Sequence, residues 1–289
     1  MSITALFLNP LGPALILGLG GLLIALSRRV IADPLPGAVT GPQSQISPNR
    51  ANLHPLLRAL FALGVALTAL VLLLLLRDRP NHASLTWGWQ PLTVAGGALL
   101  WELDAWNWLA SVLILLLAVT ALVVGEFDDD LRPGWAWPGR HAERTLWLGA
   151  AALCFVCSGN VVTVAGGWVL LDLALTFRLR PGEGEEPAGR AWSLLSLMSL
   201  AMLAALMLLG EPNVRVTLAV GPFTPLVLGL LWLAALVRAG VYPLHFWLAG
   251  PGRTDAGGRI VLHLIGPLTG LWLLGRLGQV SGADWLRRP

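Results

Sequence analysis

The chain of 289 residues contains no lysine, and its nineteen basic residues are all arginine. Charge of either sign is scarce, at 12% of residues against roughly 25% in a soluble domain, which excludes a water-soluble monomer. Only two cysteines occur, Cys154 and Cys157, in an apolar run with no second pair and no nearby histidine. Two ligands are too few for a metal or redox centre, so they read as small helix-packing residues. There is no glycine-rich nucleotide loop, flavin signature or cysteine cluster, so no cofactor is expected and no redox chemistry of its own. A sequence pI near 9.6 would suggest nucleic acid only if the arginines formed one basic face; they scatter through loops, so no nucleic-acid partner is expected. The amino terminus has neither a charged leader region nor a cleavage motif, so its first apolar run is expected to be retained as a span.

What is abundant is apolar: 56% of the residues are hydrophobic and the mean hydropathy is +0.72. A hydrocarbon core about 30 Å thick needs about 20 such residues in a helix. Runs of that kind occur at roughly Ile3 to Leu26, His54 to Leu76, from after Asp104 to before Gly125, Thr145 to Val156 with its flanks, Val161 to Leu179, Ala191 to Leu209, Phe223 to Leu248 and Ile260 to Leu277. The expected fold is all-α and polytopic, with about eight transmembrane helices and the lipid bilayer as its surroundings. Twelve arginines fall on one side of this topology and six on the other, which predicts both termini on the outer side of a plasma membrane. The acidic stretches Glu126 to Asp130 and Glu183 to Glu186 then read as cytoplasmic loops; Asp128 to Asp130 lacks the alternating spacing of a calcium loop. Between Arg77 and Asp104, Ser84 to Trp89 and Leu92 to Leu100 alternate around Gly96 and Gly97, which suggests a short hairpin over the outer surface. Trp87, Trp89, Trp101, Trp106 and Trp108 read as an interfacial belt.

Ionisable groups at membrane depth cost about 2.5 to 3.5 kcal/mol on insertion scales, so each is a functional candidate. Four qualify: Asp172 in the fifth run, Arg238 and His245 in the seventh, and His263 in the eighth. Pro243 deletes a backbone donor and is expected to break the seventh helix beside Arg238. Broken helices next to a charge are how transporters build ion sites.

The stretch from Arg238 through Pro243 to Trp247 and Leu248 resembles the broken seventh helix of the antiporter-like, proton-translocating subunits of respiratory NADH:quinone oxidoreductase and of Mrp-type sodium/proton antiporters. In that family a lysine stands five residues before the proline and Trp-Leu follows it; here arginine takes the lysine's place. His263 ahead of Gly270 to Leu274 resembles the family's eighth helix, Asn160 to Val169 its fifth, and Asp104 a frequent aspartate before its third. The resemblance implies three amino-terminal helices (residues 1–142) followed by one five-helix repeat, helices four to eight (residues 143–289). It implies other membrane subunits as partners, and Asp172, Arg238, His245 and His263 as ion-translocation candidates. The family carries about fourteen helices with two inverted repeats, so this chain resembles the front half alone.

In the family a glutamate and the lysine form a switchable pair. Val169 occupies the glutamate's place, and Asp172, three residues on, is the nearest carboxylate. Guanidinium keeps its proton throughout the physiological range, whereas buried lysine titrates readily. Asp172 and Arg238 are therefore expected to form a fixed, mutually neutralising pair, with a titrating Asp172 as the other reading. His263 and His245 fit either a proton relay or a hydrogen bond to a neighbouring helix. Two functions follow: a membrane subunit of an NADH:quinone oxidoreductase-like or related ion-translocating complex, or a non-translocating scaffold that anchors a cytoplasmic partner, for example in inorganic-carbon accumulation.

Overall fold

The computed structural model describes residues 7–32, 48–78, 84–88, 98–130, 140–179, 189–209, 223–247 and 256–279. The helices are α1 (Gly12–Ala32), α2 (Pro48–Leu76), α3 (Ala105–Asp130), α4 (Arg140–Val156), α5 (Val161–Leu179), α6 (Gly189–Leu208) and α7 (Pro225–Arg238). After α7 come a 3-10 turn, Leu244–Trp247, and then α8 (Ala256–Ile260), which passes through a π-helical turn, Val261–Ile265, into α9 (Gly266–Leu277). Among the described residues, three segments are long and apolar enough to cross a membrane: Leu57–Leu76, Ala105–Gly125 and Gly257–Leu277. Shorter apolar segments lie in α1, α5, α6 and α7. With this composition and a lipid-like exterior of exposed leucines, the chain is a helical membrane protein.

The most polar of these helices at its start, α4, lies at the centre. It opens with Arg140, His141, Glu143 and Arg144, yet Leu146, Leu148, Ala152, Phe155 and Val156 are fully buried. It packs on α1, α3 and α5 and touches α9, which gives one continuous core. The tight turn into α5 is set by its sequence. Asn160 Oδ1 accepts the Thr163 backbone N–H at 3.0 Å and Thr163 Oγ1 accepts that of Asn160 at 3.2 Å, a reciprocal cap of the helix start.

The hairpin is present with shifted bounds. Strands β1 (Ser84–Trp87) and β2 (Leu99–Glu102) pair antiparallel, with Ser84 opposite Glu102, so the second strand follows the two glycines instead of containing them. Residues 89–97, including Trp89, lie outside the described residues, as does the Glu183 to Glu186 stretch. β2 is fastened to the α4–α5 turn: Glu102 N–H donates to Cys157 O and Gly159 N–H to Leu100 O, both at 2.8 Å. Glu126 to Asp130, expected as a loop, continues α3. No residue in that stretch prevents helix, although three aspartates at a helix carboxyl end oppose its dipole.

The interruption after α7 begins earlier than Pro243. Thr224 caps the start of α7, with Pro225 in its first turn, and the helix stops at Arg238. Gly240 adopts a left-handed φ of 68°, Gly240 N–H donates to Val237 O at 3.0 Å and Val241 N–H to Leu236 O at 3.2 Å. These bonds form a Schellman cap, which glycine allows without a Cβ penalty. Pro243 follows a cis Tyr242–Pro243 bond in the turn beyond, where it prevents the helix from resuming.

Candidate functional site: a charge pair at a broken helix

Three helices meet at the seventh-helix break. From α5 come Trp168 and, one turn later, Asp172; from α6 comes Ser199; from the last turn of α7 comes Arg238. Arg238 Nη2 donates to Asp172 Oδ1 and Ser199 Oγ donates to Asp172 Oδ2, so both carboxylate oxygens are engaged. Trp168 Nε1 donates to Ser199 Oγ at 3.2 Å, and the Arg238 guanidinium carbon lies 4.1 Å from the centre of the Trp168 ring. The four side chains thus form a closed circuit in which Trp168 serves twice, by its N–H and by its face. The Arg238 side chain is 0% exposed and that of Asp172 15%. Arg238 Nε and Nη1 have no hydrogen-bond acceptor among the described residues, where the indole face and one carboxylate are what stabilise the buried cation. A desolvated cation over indole is worth about 2 kcal/mol or more.

The end of α7 is held from the other side by α9. A Cβ on Gly270 would lie 2.3 Å from Ala239 N and 2.7 Å from the Arg238 carbonyl carbon, so the two backbones touch and only glycine fits. Trp247, fully buried, donates its Nε1–H to Val237 O at 2.7 Å and fills the space beside Gly266. Phe155 of α4 packs edge-on against Trp168 and Trp272, with ring centroids 5.8 and 5.0 Å apart, and so links the pair to the central helix.

The sequence candidates therefore separate. Asp172 and Arg238 come together. His245 lies after the break, its ring stacked on Tyr242 at 5.6 Å, with Tyr242 82% exposed. His263 is exposed on the π-turn. Val169, at the place of the family's glutamate, is 51% exposed and faces outward, while Asp172 turns toward Arg238.

A second polar cluster was not legible from the sequence. Arg276, counted there with the outer-side arginines, is buried near the end of α9. Its Nη2 lies 2.5 Å from Asp104 Oδ2, 2.9 Å from Asn107 Oδ1 and 3.5 Å from Glu102 Oε1. Asn107 Oδ1 also accepts Trp272 Nε1–H at 2.9 Å, and its amide donates to Glu102 O at 2.9 Å. Burial pushes the Glu102 carboxyl above its ordinary range; Arg276 opposes that shift and Asp104 adds to it. This cluster ties the last described helix to the hairpin and to the start of α3.

The fold and this site define a helical membrane protein with a charge pair beside an interrupted helix. No protein-family model matches the sequence, and no curated protein matches it. Among solved structures, the fold is similar to a chain of the membrane-bound sulfane sulfur reductase (MBS), an archaeal respiratory membrane complex, with a TM-score of 0.62 and 16% identity. The match covers 92% of this chain and 40% of that one. The likeness is one of fold, and this chain spans well under half the length of its neighbour.

Proposed function

We propose that this chain is a membrane subunit of a multi-subunit, ion-translocating complex of the respiratory type, within the antiporter-like class, and that Asp172 and Arg238 act in it as a fixed charge pair that braces the broken helix. The observation that carries the reading is the buried Arg238–Asp172 pair at the end of α7, on a fold shared with a respiratory-complex subunit. A guanidinium does not surrender its proton, so Arg238 holds charge in place where an amine would exchange it. Asp172 has both oxygens engaged, one by that cation and one by Ser199. Proton or sodium movement through the complex then runs through partner subunits, with this chain supplying packing and a static field.

Affinity purification from native membranes in mild detergent tests the first half: larger membrane subunits are expected in stoichiometric amounts, and a stable, functional monomer would overturn it. Vesicle flux tests the second half. Asp172→Asn and Arg238→Ala are expected to reduce assembly while the complex that still assembles transports normally. Intact assembly with abolished flux would make the pair a translocation element. Absence of ion flux in the wild-type complex would leave only the scaffold, the reading that the non-titrating arginine favours.

A further inference from the structure

Arg77 follows directly on α2, and its guanidinium carbon lies 4.5 Å from the centre of the Trp108 ring. Trp108 is itself pinned, donating its Nε1–H to Leu73 O at 3.2 Å in the last turn of the same helix. Beside them opens a cleft of about 260 Å³ lined by Arg77, Leu103, Asp104, Ala105 and Trp108. The Asp104 carboxylate in its wall is already neutralised, with Oδ2 on Arg276 at 2.5 Å and Oδ1 accepting the Asn107 N–H at 2.8 Å. Arg77 has no acidic partner among the described residues. The cleft therefore presents, over the indole ring, a cation with no acidic partner of its own among the described residues, and guanidinium N–H groups are donors suited to oxygen ligands.

Along α2, in the turns before Arg77, the exposed Leu67, Val71, Leu74 and Leu75 recur at i, i+4, i+7 and i+8 and make an apolar strip. Apolar strip, indole and arginine follow in that order toward the helix end, the arrangement that matches acyl chain, interface and headgroup. The volume is below the roughly 300–1,000 Å³ of sites that enclose drug-sized molecules, and suits a headgroup whose chains remain outside.

We propose that this cleft binds the phosphate of a glycerophospholipid, with Arg77 as the anion ligand held in place by Trp108 and the acyl chains lying along α2. The other source of the same chemistry is a free phosphate, and the two are separable. The complete protein, purified as it occurs and delipidated in detergent, is titrated by native mass spectrometry with phosphatidylglycerol, with diacylglycerol lacking the phosphate, and with water-soluble glycerol phosphate. Phosphatidylglycerol is expected to bind roughly tenfold more tightly than diacylglycerol, the worth of one charge-assisted contact. Arg77→Gln, at an exposed position where folding is not at stake, is expected to abolish that difference, and Arg77→Lys to retain part of it. Equal binding of the two lipids, or an unchanged preference in Arg77→Gln, would overturn the site. Glycerol phosphate binding as tightly as phosphatidylglycerol would overturn the lipid as occupant.

Discussion

The fixed-pair reading makes a quantitative demand on a double-mutant cycle. Arg238→Met leaves the Asp172 carboxylate on Ser199 without its cation, and Asp172→Leu leaves a fully buried guanidinium against an apolar side chain. Stranding one partner of a buried pair typically costs about 3 to 5 kcal/mol, whereas replacing both with apolar groups of similar volume is close to neutral. The upper end applies to Asp172→Leu, because the Arg238 side chain is fully shielded from solvent, and the lower end to Arg238→Met, because Asp172 keeps the Ser199 bond and some exposure. Asp172→Leu combined with Arg238→Met is then expected to be more stable than either single variant and close to the wild type, so that the coupling is about the sum of the two single costs, on the order of 8 kcal/mol. Cys154 and Cys157 supply the assay: Cys157 is buried and Cys154 largely so, so a thiol-reactive dye labels them as the core opens on heating. At about 2 to 4 °C per kcal/mol, each single variant should melt on the order of 10 °C below the wild type, and the double variant within a few degrees of it. Additive single effects, or a wild-type melting point for Arg238→Met, would refute the pair as a mutual brace.

Three further outcomes follow from the same contacts. Gly270→Ala places a Cβ against the backbone of Ala239 and Arg238 and should destabilise by about 1 to 3 kcal/mol, while Gly229→Ala, with nothing within 4 Å, should melt at or above the wild-type temperature. Asn107→Ala removes the acceptor shared by Arg276 and Trp272 and should cost on the order of 3 kcal/mol by the same dye assay; wild-type stability would show that the cluster is dispensable. Glu102 titrates above its ordinary value in the folded chain because burial raises it more than Arg276 lowers it, so folded protein binds the proton more tightly than unfolded. Its contribution to stability is therefore full below about 4.5 and falls as pH rises from there through the folded value; Glu102→Gln should flatten that slope in a pH series of melts, and an unchanged slope would show that another group sets it.

What was legible in the sequence was local. The bounds of α5, Val161–Leu179, coincide with the expected run because Ser158, Gly159 and Asn160 form the turn and Asn160 and Thr163 carry the cap chemistry within four residues. The carboxylate that would meet Arg238 was nameable, since a membrane segment offers few charges to pair. The partners that complete each site were not. Ser199 lies 27 residues from Asp172 in a helix of similar small and apolar residues, and Arg276 lies 169 residues from Asn107. An arginine near a helix end reads as a loop charge until the fold brings an aspartate, a glutamate and an asparagine to it. The break was placed at the proline, the more conspicuous residue, although a glycine one to three residues ahead of a proline is itself the signal of a helix end.

The way α7 ends bears directly on what the broken helix can do. Interrupted helices coordinate cations when the break frees carbonyl oxygens that then face an aqueous cavity. Here the carbonyl of Ala235 accepts from Ala239 N–H, that of Leu236 from Val241 N–H, and that of Val237 from both Gly240 N–H and Trp247 Nε1–H. The helix end is thus closed by its own cap and by a buried tryptophan, and the next side chain is a guanidinium, which repels a cation instead of attracting one. A sodium ion at this point would have to displace the cap and approach a fixed positive charge at once. The same features suit an anchor: Gly270 brings α9 against the capped end, Trp247 fills the space beside Gly266, and Arg238 is directed across to Asp172 on α5. Replacing arginine with lysine would keep a charge but give up the guanidinium's contact with the Trp168 ring. Arg238→Lys is therefore expected to lower the melting temperature without creating sodium-dependent stabilisation, and a melt that rises with sodium would show that the break holds an ion after all.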